Sequence, residues 1–147
     1  ILLYRSLYEM GWGTRPDVIS KDDGLQLTNV YISNIVKCVP PGNIPNGDEK
    51  NNCRHFLMKE IEKLSGLKTI LALGATAHQE LLKIFREQDG SIKMKDYPFK
   101  HGHTYHIKSI PYLLTDCYHP STYNVNTGVI NLEMMLTVFR NLVIGDK

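Results

Sequence analysis

Long apolar runs are missing from this sequence, and no stretch approaches the roughly 20 apolar residues that a bilayer-spanning helix needs. No segment has the charged start, apolar middle and small-residue end of a secretory leader. Cysteine is scarce: Cys38, Cys53 and Cys117 are too few to staple a fold with disulfides, which leaves ligands, core packing or both. Excess charge is lacking too. A formal net charge of +2 permits contact with a polyanion without demanding it. There is no internal repeat and no low-complexity tract. A soluble, cytoplasmic monomer is the expectation, and 147 residues with 42% apolar content suffice for one domain with its own core.

An initiator Met is also absent, as is a capping residue before the first apolar position. Leu3, Leu7 and Met10, followed by Gly11, read as an amphipathic helix with a glycine at its end. A helix without its beginning is expected to belong to a chain that extends upstream. Residues 1–147 are then a single domain lacking its N-terminal part.

What is present is organised around residues 30–53. A short β-branched run predicts a buried strand at about 29–36, interrupted by the amide of Asn34 and ended by the thiol of Cys38. The Pro40-Pro41-Gly42-Asn43-Ile44-Pro45 loop forbids regular structure. A helix opening at Asn46 or Asp48, with Asn46 and Glu49 at capping-box spacing, places Cys53, Phe56, Leu57, Ile61 and Leu64 on one stripe. Residues 69–73 are apolar throughout, a strand expected to be buried on both faces, and Gly74 turns it into a helix with Ala77, Leu81, Leu82 and Phe85 inward. Residues 112–116 predict a third strand. Leu132, Met135, Leu136, Phe139, Leu142 and Val143 predict a closing helix. Strands alternating with helices imply an α/β fold, a parallel sheet with helices on its faces.

Several side chains can carry chemistry. Cys38 and Cys53 flank a proline-rich loop that core cysteines do not need. Two small buried hydrophobes and half of a four-thiolate site for zinc or an iron–sulfur cluster stand as equal readings. Cys117, at the third strand's exit, reads as core. His119 follows a buried strand, where a neutral imidazole can donate a hydrogen bond to a developing anion; an isolated histidine there is more often a capping or packing group. Pro120 and Ser121 fix the loop and supply a hydroxyl and an N–H suited to a phosphate. Asn34 offers an acceptor and two donors to a base edge, or ties down its loop. Residues 93–108 interleave Lys93, Lys95, Lys100 and Lys108 with His101, His103, His106 and aromatic rings; this is a solvated surface or the border of a nucleic-acid groove, with a metal at His101 and His103 the lesser reading. No lysine stands out as a Schiff-base nucleophile.

The motifs N-I-V-K-C-V-P-P-G-N-x-P, L-A-L-G-A-T-A-H, P-F-K-H-G and Y-H-P-S-x-x-N-x-x-T-G, with Cys53 between the first two, together resemble the iron–sulfur uracil-DNA glycosylases, the "b" branch or family 5 more than the "a" branch. The resemblance implies a three-layer α/β/α sandwich around a parallel four-stranded sheet. It implies that Cys38 and Cys53 are two of four ligands to a [4Fe-4S] cluster and that His119 is the catalytic histidine. Asn34 then reads the extruded base, and Ser121 and Asn124 lie beside the DNA strand. The implied activity is monofunctional hydrolysis of the N-glycosidic bond of a deaminated base, uracil or hypoxanthine and other damaged bases, in single- or double-stranded DNA. The family's other two cysteines, its first motif against the base and its water-orienting acid correspond to positions upstream of Ile1. Two competing readings are a non-catalytic DNA-binding module with a structural or redox cluster, and a zinc-stapled domain without a nucleic-acid role.

Overall fold

The computed structural model describes residues 1–17, 24–34 and 47–142, with residues 47–53 described for their backbone only. Its elements run α1 (Leu2–Glu9), α2 (Gly47–Lys63), β1 (Thr69–Leu73), α3 (Ala75–Gln88), a 3-10 turn at Met94–Asp96, β2 (Thr104–Tyr105), β3 (Leu113–Cys117), α4 (Thr122–Asn126) and α5 (Leu132–Arg140). β1 and β3 are parallel, with Thr69 opposite Leu113 and Leu73 opposite Cys117. β2 pairs with β3 antiparallel, giving the order β1-β3-β2.

Alternation along the two parallel strands divides the core in two, because successive side chains of a strand point to opposite faces. Ile70, Ala72 and Leu114 pack with Leu57 of α2 and Leu81, Leu82, Ile84 and Phe85 of α3. Leu71, Leu73 and Cys117 pack with Leu7 of α1 and Met135, Val138 and Phe139 of α5. Helices therefore cover both faces of the sheet, and burial of each large apolar side chain contributes about 1.5–3 kcal/mol. Cys117 belongs to this core, as expected: burial first, then the Asp116 charge, pushes its thiol up to about 12. No helix among the described residues is long and apolar enough to cross a membrane.

Three expectations need correction. The sheet is mixed rather than all parallel, since residues 104–105 add an antiparallel edge that was not expected; three strands lie among the described residues. Residues 29–34 of the expected strand at 29–36 form no ladder; residues 35 and 36 lie outside the described residues. Asn29 adopts φ +64°, which bends the backbone out of the extended region, and Tyr31 and Ser33 instead reach the Glu60 carboxylate of α2. Phe56 leaves the predicted stripe and is 57% exposed, because Leu57, with Ile61 and Leu64 four and seven residues on, takes the inward face. Asn46 lies outside the described residues, while α2 itself begins where expected.

Candidate active site

The carboxyl ends of β1 and β3 lie side by side, and the polar residues gather there, as ligand-binding groups do in open α/β sheets. Gly74 ends β1 with φ +98°, a conformation that favours glycine, and its N–H donates to the Cys117 carbonyl at 2.8 Å. A Cβ at this position would stand 3.2 Å from the Cβ of His119. The absence of a side chain on Gly74 thus lets His119 sit directly on the turn from β1 to α3.

The chain on either side of His119 is pinned. Beyond it, Ser121 caps α4 by accepting the Asn124 N–H at 3.1 Å, and the Asn124 side-chain amide donates to the His119 carbonyl at 2.8 Å. Before it, the Tyr118 N–H donates to Nδ1 of His101 at 2.9 Å, and the two rings stack with centroids 4.4 Å apart and planes 10° apart. The imidazole of His119 itself is exposed. The structure thus brings His119, Ser121 and Asn124 together, with the hydroxyl and amide engaged in shaping the loop. Tyr123, 74% exposed, projects from the same short helix.

The residues 98–102 loop hangs on a buried carboxylate. Asp116 accepts the Lys100 N–H on Oδ2 at 3.1 Å, while its backbone carbonyl accepts the Gly102 N–H and its N–H donates to the His103 carbonyl. Oδ1 lies 2.7 Å from Nδ1 of His78, whose Nε2 lies 2.6 Å from the Tyr97 carbonyl. A carbonyl only accepts, so Nε2 carries hydrogen, and a second proton lies between Nδ1 and the carboxylate. Burial pushes the Asp116 carboxyl above its ordinary range, partly offset by the Lys100 N–H and His78. Sequence reasoning missed this pair. Its signal was a histidine on the inner face of the α3 pattern and an acid at a strand end.

His101 and His103 have separate neighbours, Tyr118 for one and the ring of Tyr105 for the other. No group of three or more potential metal ligands occurs among the described residues. Cys38 lies outside them, and Cys53 is described only as backbone in α2. Next to it, Arg54 donates from Nε and Nη2 to the buried Glu80 carboxylate, which also takes Lys83, so this part of α2 is bound to α3. Asn34 is exposed, and among the described residues no hydrogen bond joins it to His119. Its segment is fixed from α2, where Glu60 accepts from Tyr31 at 2.5 Å and Ser33 at 2.8 Å.

An α/β domain with helices on both sheet faces and a histidine held at the exit of a central strand is the class defined by this geometry. Comparison with known proteins specifies it further. Residues 2–143 match the family model of the uracil DNA glycosylase superfamily, and the chain belongs to that superfamily. It is similar to the type-5 uracil-DNA glycosylase of Pyrobaculum aerophilum, 34% identical over 138 residues that cover 94% of this chain and 57% of the relative. The type-5 uracil-DNA glycosylase of Thermus thermophilus is likewise 34% identical over 136 residues, 92% of this chain and 59% of the relative. A type-4 uracil-DNA glycosylase of Thermotoga maritima is 45% identical over 58 residues, 39% of this chain and 30% of the relative. The chain therefore spans a little under three fifths of the length of the type-5 relatives.

Proposed function

We propose that this chain provides the base-excision site of a DNA-repair glycosylase that removes uracil, with hypoxanthine and other deaminated bases within its range, and leaves an abasic site. The observation that carries this reading is the setting of His119: an exposed imidazole at a strand exit, seated on Gly74 and with its flanking backbone pinned on both sides, in a member of this superfamily.

A base stacked in a duplex is out of reach of any side chain, so it must be extruded at a cost of roughly a few kcal/mol, less for a damaged pair. Tyr123, exposed on the short helix that follows the His119 loop, is suited to fill the gap left in the stack. As the bond from the sugar C1′ to the base nitrogen breaks, its electron pair moves to the base. His119 donates a hydrogen bond to the resulting anion, while Asn34 holds the base edge through its amide. Water adds at C1′, and the base leaves with a proton. Ser121 and Asn124 act beside the DNA strand mainly by keeping the His119 loop in shape.

Cys38 and Cys53 would hold two corners of a [4Fe-4S] cluster, a donor set of soft thiolates that fits such a group. The buried, protonated thiol of Cys117 does not fit as a third. When bound, the cluster would supply a structural staple between the loop and α2, or a redox centre.

The test is single-turnover release of free base from a uracil-containing oligonucleotide. His119→Ala in the full-length protein should lower the rate by about 100-fold or more while DNA binding persists. Undiminished cleavage would overturn the role of His119. Binding by the wild-type protein with no base released would instead favour a non-catalytic module of the same fold. A brown, iron-containing protein is expected; a colourless one containing zinc would contradict the cluster assignment.

A further inference from the structure

We propose that His101 is a positioning residue for His119 and performs this task only as the neutral imidazole. The inference rests on the reading of His119 given above. Three observations support it. First, the Tyr118 N–H lies just beyond the last residue of β3, where the sheet no longer supplies an acceptor, and Nδ1 of His101 supplies one at 2.9 Å. Second, the ring stacks flat against the Tyr118 side chain, so it cannot turn its other nitrogen toward the N–H without losing that stack. Third, the backbone of the residues on either side of it is tied to the same strand, through the Lys100 N–H on the Asp116 carboxylate and the Gly102 N–H on the Asp116 carbonyl. His119 is thereby fixed from two directions, with His101 acting on the residue before it and Asn124 on its own carbonyl.

The hydrogen bond sets the protonation state. A ring nitrogen that accepts an N–H carries no proton, so His101 must be neutral with its hydrogen on Nε2. The titratable neighbours are Tyr118 and His119 at the strand exit and Lys100 and His103 in its own turn; Asp116 is engaged with His78 and the Lys100 N–H. Burial lowers the pKa of His101 below the ordinary histidine value. The neutral ring therefore persists at neutral pH, and the Tyr118 contact is lost only as pH falls through that lowered value. Charging the ring would turn Nδ1 into a donor facing a donor, release Tyr118, and let the strand exit that carries His119 shift.

The experiment is the pH dependence of single-turnover base release by the full-length protein, with DNA affinity measured in parallel. Wild type should lose rate on the acid side, as pH falls below the ordinary histidine range. His101→Leu, which has no acceptor, should be slower by about ten- to a hundredfold near pH 8 with affinity unchanged, the signature of a misplaced group and not a lost contact. His101→Asn keeps an acceptor oxygen near the position of Nδ1 and does not titrate. It should restore most of the rate at pH 8 and remove the acid-side loss that His101 causes. An Asn variant with the wild-type acid limb, or one as slow as the Leu variant at pH 8, overturns the inference; the Asn variant alone decides if the Leu variant fails to fold. The two readings fail separately. Activity surviving His119→Ala overturns the role of His119. An inactive His119→Ala variant combined with an unshifted His101→Asn profile overturns only the positioning role.

Discussion

The two polar segments assigned to the base are held in opposite ways. His119 is built on the sheet: Gly74 lies beneath it, and backbone groups of residues 118 and 119 are bound by His101 and Asn124. Asn34 belongs to a segment whose described residues, to position 34, form no ladder from residue 29 on, and two neighbouring hydroxyls attach it to a carboxylate on α2. A group that meets charge developing as a bond breaks gains from rigid placement, because its alignment need not be recovered during the reaction. A group that reads an edge can be adjusted as the base arrives. The contrast predicts that damage at the strand exit lowers the rate constant, while damage at the α2 attachment weakens substrate use.

The largest effect should come from Gly74→Val. The added side chain would meet His119 at 3.2 Å and occupy a φ of +98°, so single-turnover cleavage should fall by about 100-fold or more, with a stability loss of about 1–3 kcal/mol seen in urea melts. Wild-type cleavage by this variant would show that His119 does not need that seat. Next is Asp116→Ala, which strips the buried His78 ring and the Lys100 N–H of their acceptor; a loss on the order of 3 kcal/mol is expected in the same melts.

A smaller effect, confined to stability, should follow Glu80→Gln. Burial raises this carboxyl, but the hydrogen bonds and charges of Arg54 and Lys83 more than reverse the shift and leave it below the ordinary range. A depressed acid stabilises the fold above its unfolded pKa, about 4.3, and that contribution disappears as pH falls through the folded value. The wild type should therefore lose stability faster than Glu80→Gln as pH drops below that unfolded value. Parallel curves would show the ion pair to be neutral. Smallest is Glu60→Ala, expected to raise KM for uracil-containing DNA by less than about tenfold with the rate constant unchanged. It should also let the Tyr31 phenol, raised chiefly by its hydrogen bond to Glu60, titrate nearer its ordinary value. A fall in the rate constant alone would erase the distinction between the two segments.

Much of the fold was legible in the chain. β1, α3, β3 and α5 were read close to their observed bounds because Leu81, Leu82, Phe85, Met135, Leu136 and Phe139 repeat with helical spacing and two apolar runs alternate with them. The run that starts at residue 30 carries the same local signal as a sheet strand, but periodicity does not say what an apolar segment packs against; in its described part, to residue 34, Asn29 at positive φ and the reach of Tyr31 and Ser33 to Glu60 decided it. β2, two residues long, is too short to leave a pattern. Within the site, His119 and its loop were visible as polar residues after a strand. Asp116 and His78 were not, since their partners stand 38 residues apart and each looks ordinary in its own neighbourhood. His101 drew attention as part of a solvated surface or groove border, as a weak metal candidate and as a motif residue, but not for this role, because its hydrogen bond to a backbone N–H across the sheet edge has no trace in spacing.

The most direct measurement is a crystal structure of the full-length protein with uracil or a uracil-containing oligonucleotide bound. The account predicts one base ring lying at the β1 and β3 exits, with the His119 imidazole within hydrogen-bond distance of a base carbonyl and the Asn34 amide on the edge of the same ring. A ring seated elsewhere, or the two side chains on unrelated surfaces of the complex, would contradict it.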